Sequence, residues 1–443
     1  MGRSQKSGVS RIRARNSKRS VRSKTKRARG GGGNNANKPI AVNTGNLGNN
    51  ASSVLSVLRS VLNDPTSLSH FIHRFTMKEL GQLALTSKEF AETVRNAPLR
   101  NTDTFVPSPV KWRSLFQSAL ALRLSPKAPL KELADLADSG ALTYLEWLSL
   151  EYHKMDEPAF PELVAAFPKL SHLTSLHLTK TDFKAPEDCA ALLNATSPSL
   201  TSLSLWGIRN CVNEAVATVL PRFRQLQHLN MTGIYDKDLL SVLGPALGTF
   251  SELRELFIGG NVLGPEGADK LSEIVVRMPH LRVLKAGING FGFRGTYSGE
   301  HWGGIGALVA ALRTCRNLEH LDLHSNRLGD VGILSLSPFL SECRSLKVLS
   351  LASNEIHDKN TTDPWDNITK SPIQVLVESL PVSLETLYLF DNVINKAGIA
   401  AFLEKLPLMK HLTLLHLSGY PSDGKVAIKE KAAEVLPGCK VVL

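Results

Sequence analysis

No apolar run in the sequence approaches the ~20 residues a membrane helix needs, so the chain reads as soluble. The first residues, MGRSQKSGVS, lack the apolar centre of a secretory signal, which argues against export. Cysteine is sparse. Cys189, Cys211, Cys315, Cys343 and Cys439 are scattered and odd in number, with no CxxC pair and no Cys/His spacing of a metal site. That usage fits a reducing, intracellular compartment, nucleus and/or cytoplasm. There is no Gly-x4-Gly-Lys-Ser/Thr phosphate loop, even in the glycine-rich stretch 287–306. No Ser/His/Asp set or carboxylate pair can be assembled from spacing. These absences describe a chain that is not an enzyme and has no cofactor or metal.

Acid is missing from residues 1–29, which hold 12 Lys or Arg. The rest of the chain keeps 40 of the 52 basic residues against 40 acidic ones, so the net charge of +12 belongs to the tail. A neutral body loses the main electrostatic argument for nucleic-acid binding. The tail itself has several readings. Lys24, Lys26, Arg27 and Arg29 suit a nuclear import signal or a weak, salt-sensitive nucleic-acid contact. Arg- and Ser-richness without acid also suits a mitochondrial transit peptide, though Val9, Ile12 and Val21 make a thin apolar face. A merely solubilising tail is the remaining reading.

Residues 1–50 are Arg, Lys, Ser, Gly and Asn with few large apolar groups, a composition expected to be disordered. Residues 51–105 show helical apolar spacing (Val54, Leu55, Val57, Leu58, Val61, Leu62, then Leu80, Leu83, Leu85, Phe90, Val94), broken at Asp64-Pro65. Residues 106–140 read as a joint around Pro107 and Pro109, followed by a helical cap with Trp112, Leu115, Phe116 and Leu120 on its face.

From 141 to 443 a repeat takes over. Leu-x-x-Leu-x-Leu, with substitutions at the last position, begins at Leu145, Leu173, Leu200, Leu226, Leu253, Leu281, Leu318, Leu346, Leu384 and Leu412. Ten copies at spacings of 26 to 28 residues, with two longer intervals of 37 and 38, are not chance clustering. Each copy predicts a short strand with alternate residues inward. Each following stretch, such as Gly332–Leu340, has helical spacing. One strand and one helix cannot close a core alone, so the units must stack into an α/β solenoid, a parallel inner sheet with outer helices.

The segments Leu318-Glu-His-Leu-Asp-Leu-His-Ser-Asn326-Arg-Leu328-Gly-Asp-Val-Gly332 and Leu384-Glu-Thr-Leu-Tyr-Leu-Phe-Asp-Asn392-Val-Ile394 resemble leucine-rich repeats of the ribonuclease-inhibitor type. The resemblance implies a horseshoe. A turn asparagine recurs at Asn261, Asn289, Asn326, Asn354 and Asn392, where it would bond backbone groups left over as the chain leaves each strand. The copies starting at Leu145, Leu173, Leu200 and Leu226 lack it. Upstream, Phe71-Ile-His-Arg-Phe75-Thr-Met-Lys-Glu79-Leu80-Gly-Gln-Leu83-Ala-Leu85-Thr-Ser87-Lys88-Glu-Phe90 resembles the middle of an F-box, and Asn96-Ala-Pro98-Leu99 sits where F-boxes end. The usual opening Leu-Pro-x-Glu is replaced by Asp64-Pro65-Thr-Ser-Leu68. This second resemblance implies contact with a Skp-type adaptor through residues 65–100.

Candidate binding residues follow from the strand alternation. Residues beside the inward leucines face away from the core: Trp147, Ser149 and Glu151; Ser175, His177 and Thr179; Ser202, Ser204 and Trp206; His228, Asn230 and Thr232; Glu255 and Phe257; Lys285; His320, Asp322 and His324; Ser350; Tyr388 and Phe390; His416. Exposed aromatics on an open sheet are typical anchors for a protein partner. His320 and His324 lie about 13 Å apart along a strand, too far to share one metal ion. The long intervals are insertions of one phase, carrying Trp302 and Trp365; they are expected on one rim, from strands two apart, as a clamp on a partner or as tolerated loop growth. Cys315 and Cys343 occupy equivalent places and are expected to be small packing residues.

The reading is a protein-recognition solenoid, with the F-box resemblance implying the substrate receptor of a cullin-type ubiquitin ligase. A plain repeat scaffold is the alternative. A Ran-type GTPase-activating protein, which shares the repeat, or an RNA-associated factor using the tail are further ones.

Overall fold

Each Leu-x-Leu centre becomes a three-residue strand because the middle leucine enters the core while its neighbours point the other way. In chain order the elements are β1 (Leu99–Val106), β2 (Ala119–Leu124), α1 (Leu130–Asp138), β3 (Trp147–Ser149), β4 (Lys154–Met155) and α2 (Phe160–Ala166). Then come β5 (Ser175–His177), β6 (Asp182–Phe183), α3 (Pro186–Ala195), β7 (Ser202–Ser204), α4 (Glu214–Val219) and β8 (His228–Asn230). These are followed by α5 (Leu239–Leu247), β9 (Glu255–Phe257), α6 (Gly264–Val275), β10 (Val283–Lys285), α7 (Gly303–Leu312) and β11 (His320–Asp322). The series closes with α8 (Gly329–Glu342), β12 (Val348–Ser350), α9 (Pro372–Ser379), β13 (Thr386–Tyr388), α10 (Lys396–Lys405), β14 (Leu414–His416), α11 (Lys425–Val435) and β15 (Lys440–Val442). This computed structural model describes residues 99–106, 119–155, 158–209, 211–292, 303–356, 370–419 and 424–443, all within the unit Leu58–Leu443.

One 13-stranded parallel sheet runs β1-β2-β3-β5-β7-β8-β9-β10-β11-β12-β13-β14-β15, and β4 pairs with β6 in a separate two-stranded sheet. From β3 to β14 the register advances without a slip, leucine opposite leucine. The central residues Leu148, Leu176, Leu203, Leu229, Leu256, Leu284, Leu321, Leu349, Leu387 and Leu415 are all buried. Helices need about 8–10 Å between axes and strands about 4.8 Å, so a stack with one of each per layer bends with its sheet on the inner side.

The turn after each strand is built the same way. Tyr152, Lys180, Gly207, Gly233, Gly260, Ile288, Ser325, Ser353 and Asp391 all take a left-handed backbone conformation. Each of their N–H groups donates to a carbonyl of the next layer, at 2.6 to 2.9 Å. The residue one place further on is the turn asparagine. Asn326 shows the full pattern: its Oδ1 accepts from the Asn289 N–H at 3.0 Å, its Nδ2 donates to the Ala286 and Leu323 carbonyls at 2.9 Å, and its own N–H donates to Asn354 Oδ1 at 3.0 Å. The same bonds join Asn261 to Asn289 and Asn354 to Asn392. In the copies without asparagine the position holds His153, Thr181, Ile208 and Ile234. Thr181 keeps one bond, from its hydroxyl to the Leu150 carbonyl at 2.8 Å.

The stack begins earlier than the repeat spacing implies. Within the stretch expected as joint and helical cap, residues 119–124 form β2, paired with β3 through Ala121↔Trp147. Residues 99–106, the end of the stretch with helical spacing, form β1 against β2. Leu122 and Leu124 are buried, alternate residues on one face. That alternation was the local signal, and edge pairing on β3 gives it its partner. The helix of this layer is α1. The rest of the F-box-like segment, the basic tail, and Trp112, Leu115 and Phe116 lie outside the described residues.

Candidate functional site

The strand residues opposite the core form lateral rows on the inner face. Some of the small hydroxyl residues in these rows are covered by their neighbours: Ser149, Thr179, Ser204 and Ser350 face away from the core as expected but are buried, whereas Ser175, Ser202 and Thr232 are half-buried. What remains accessible is carried by longer side chains, in three clusters.

At the N-terminal end Arg123 of β2 pairs with Glu151 at 2.7 Å, and Ser149 donates to the same carboxylate at 2.9 Å. The Trp147 indole N–H donates to His177 Nε2 at 3.0 Å, with ring centroids 4.9 Å apart. That bond needs Nε2 as an acceptor. Burial holds the His177 imidazole below the usual histidine range, Glu151 working against it. Next to this pair, Lys180 lays its ammonium over two rings, 5.2 Å from the centre of Trp206 and 5.4 Å from that of Tyr152. Glycine makes the room. A β-carbon on Gly207 would come within 2.9 Å of Lys180 Cγ, and one on Gly233 would touch the Trp206 indole and the Tyr235 ring. Tyr235 is 77% exposed, more than any other large apolar side chain among the described residues. Of these, Arg123, Glu151, Tyr152, His177 and Trp206 line a groove of about 620 Å³ that continues past His228 and Asn230 to Glu255 and Phe257.

In the middle, Lys285 lies 5.0 Å over Phe257, and His228 Nδ1 sits 3.0 Å from Glu255. His324 Nδ1 lies 2.7 Å from Asp322 Oδ1. The hydrogen bond to Asp322 raises the His324 value. Burial works against ionised Asp322, but hydrogen bonds from the His324 side chain and backbone outweigh it and hold the carboxyl below its ordinary range. His320, two residues away, is lowered by burial and by Lys285. A β-carbon on Gly287 would overlap the His324 ring, so glycine there sets the pose of this pair. At the C-terminal end His416 packs against Phe390 at 4.7 Å and edge-on to Tyr388 at 6.1 Å, and its Nε2 lies 2.6 Å from Ser418 Oγ.

Among the described residues, no group of three or more His, Cys, Asp or Glu could hold a metal ion. Cys315 is buried with its Sγ 3.6 Å from the Met278 carbonyl, and burial pushes its thiol up to about 11. Cys343, expected to match it, is only half-buried. Trp302 and Trp365 lie outside the described residues. The strands before their insertions, β10 and β12, do stand two apart.

The inner face thus gathers Trp147, His177, Trp206, Phe257, His320, Asp322, His324, Tyr388 and Phe390 on one sheet. Sequence alternation did not point to Arg123, Tyr152, Lys180 or Tyr235. Three of them take left-handed turn positions past the alternating run, and Arg123 lies on an unrecognised strand. The signal available was the copy spacing itself, which puts Tyr152 and Lys180 at one repeat position.

Residues 314–337 and 342–359 match the family described as Leucine Rich repeat. The fold is a leucine-rich-repeat solenoid. A 103-residue stretch is 37% identical to the NACHT, LRR and PYD domains-containing protein 3 of Bos taurus, covering 23% of this chain and 9% of that protein. Solved structures similar to the leucine-rich-repeat chain include the yeast complex of Rad7 and Elc1 (14% identity, 88% of this chain and 90% of that one, TM-score 0.48). An internalin, inlF, from Listeria monocytogenes is another (16% identity, 68% and 81%, TM-score 0.36). The leucine-rich-repeat protein LegL7 of Legionella pneumophila is a third (18% identity, 63% and 85%, TM-score 0.38). Among the described residues, no helix of the leucine-rich-repeat unit is long and apolar enough to cross a membrane.

Proposed function

We propose that this chain is a protein-recognition solenoid whose inner sheet face, together with the left-handed turns beside it, grips a protein partner. The observation that carries the reading is the concentration of accessible aromatic and charged side chains on one continuous face. They are held by neighbours in adjacent layers, and Ser149, Thr179, Ser204 and Ser350 between them are already covered. Pre-arranged aromatics of this kind bind with little further loss of side-chain freedom. The test is affinity purification with mass spectrometry of the full chain against a Trp206→Ala/Tyr388→Ala variant. A protein captured by the first and lost by the second supports the reading. An identical set of captured proteins ends it.

The F-box-like run Phe71–Phe90 supports a finer reading. In it the solenoid is the substrate receptor of a cullin-type ubiquitin ligase, and residues 65–100 meet a Skp-type adaptor. Deletion of residues 51–98 leaves β1 intact. Co-purification with the adaptor that survives this deletion would sink the ligase reading, whereas loss of the adaptor with retention of the solenoid's own partner supports it.

A further inference from the structure

The carboxylates of the inner face are already matched. Glu151 holds Arg123 at 2.7 Å, Glu255 lies 3.0 Å from His228, and Asp322 lies 2.7 Å from His324. Two lysines on the same side are not. Among the described residues, neither Lys180 nor Lys285 has an ion-pair partner; Lys180 lies over Trp206 and Tyr152, and Lys285 over Phe257. An aromatic face holds a cation in place without neutralising it. The groove is therefore bracketed by two positive charges held over rings without a salt bridge, with apolar rings between them; Asp322, which stands in register beside Lys285, is turned to His324. Lys180 follows β5 and Lys285 ends β10, four steps apart in the order β5-β7-β8-β9-β10. At about 4.8 Å per step that is roughly 19 Å across the strands, and the place of Lys180 three residues past the register of Lys285 lengthens it by only a few ångström.

We propose that this groove takes an acidic, apolar segment of the protein partner, with carboxylates on Lys180 and Lys285 and apolar side chains against Trp206 and Phe257. The proposal rests on the protein-recognition reading and names the chemistry of its ligand. An extended segment covers roughly 19 Å in about six residues, so the two carboxylates stand about six positions apart. A polynucleotide fits less well. It carries a phosphate on every residue and would bring some of them against Glu151, Glu255 and Asp322.

The experiment uses the full chain and two fluorescein-labelled peptides, Glu-Gly-Leu-Phe-Leu-Gly-Glu and its counterpart with both Glu replaced by Gln, followed by anisotropy. The Glu peptide should bind at least about tenfold more tightly than the Gln peptide, and Lys180→Gln/Lys285→Gln should abolish that preference. Lys180 is exposed and Lys285 half-buried, and neither belongs to the core, so the melting temperature of the variant should stay close to that of the parent chain. No binding of the Glu peptide, or equal binding of the two, overturns the proposal. A preference that persists in the lysine variant also overturns it, because the basic residues 1–29 would then be the acceptor. Oligouridylate bound more tightly than the Glu peptide, and lost in the same variant, overturns it in favour of nucleic acid. A protein partner lost with Trp206→Ala/Tyr388→Ala but kept by the lysine variant removes the acidic assignment while leaving protein recognition standing. A partner kept by both removes the recognition reading itself.

Discussion

At the scale of single residues, the turn asparagines do more than the leucines to decide how layers meet. Replacing Asn326 by Ala strands the buried Asn289 N–H and takes one of two side-chain donors from the Ala286 and Leu323 carbonyls, which keep Asn289 Nδ2 and Asn354 Nδ2. The stranded N–H costs about 1–3 kcal/mol and each of the two lost bonds about 0.5–1.5 kcal/mol, so a loss of about 3 kcal/mol or more is expected in urea unfolding. Thr181→Val removes one bond to one carbonyl and should cost about 1–2 kcal/mol. Equal losses for the two variants would contradict the ladder as described.

The inner-face histidines titrate in opposite senses. His177 is held below its ordinary value, so near pH 6.5 the unfolded chain takes up a proton that the folded chain refuses. Its contribution is intact above that pH and is lost as the pH falls. His324 is raised, so its contribution is full below about pH 6.5 and is lost as the pH rises through the folded value. His177→Gln should therefore shrink the fall in unfolding midpoint between pH 7 and pH 5, and His324→Gln should enlarge it. The same direction of change in both variants would refute the assignment.

At the scale of elements, each layer holds a strand in place through the helix behind it. Leu336 of α8 is fully buried, and truncation to Ala should cost about 2–5 kcal/mol through lost burial and the cavity left behind. Asn395 caps α10 by accepting from the Gly398 N–H at 2.8 Å. Asn395→Ala should cost about 1 kcal/mol, the ordinary value of such a cap. Thermal melts of the two variants separate the size of the core effect from that of the cap.

The elements were unequally legible. Leucines at a fixed interval located β3, β5 and the strands from β7 to β14, because one buried row per strand repeats regardless of what surrounds it. β2 was missed: Leu122-x-Leu124 is too short to distinguish from a helical face until β3 lies beside it. Of the site, the outward aromatics were legible from alternation. Lys180, Tyr152 and Tyr235 were not, since they stand in turns where no period applies. The burial of Ser149 and Ser204 depends on how far neighbouring side chains reach, which no single strand encodes.

At the scale of the whole molecule, a stack in which layers touch only their neighbours is vulnerable at its ends. Beginning the chain at residue 141 would remove β1, β2 and α1, baring the edge of β3 and the side of the first layer. Such a chain should associate or unfold at lower temperature than the parent. Sedimentation and thermal melting read the two effects, and a monomer as stable as the parent would show that these elements cap nothing.

The leucine period determined by itself that strands and helices alternate, that the sheet is parallel, and which residues turn from the core, because these follow from spacing along one chain. The tertiary structure decided which of those residues meet: Arg123 with Glu151, Trp147 with His177, Lys180 with two rings. Each of these contacts joins layers some 26 to 30 residues apart in sequence. They arise only when stacking brings successive copies side by side, and no local propensity acts across that distance.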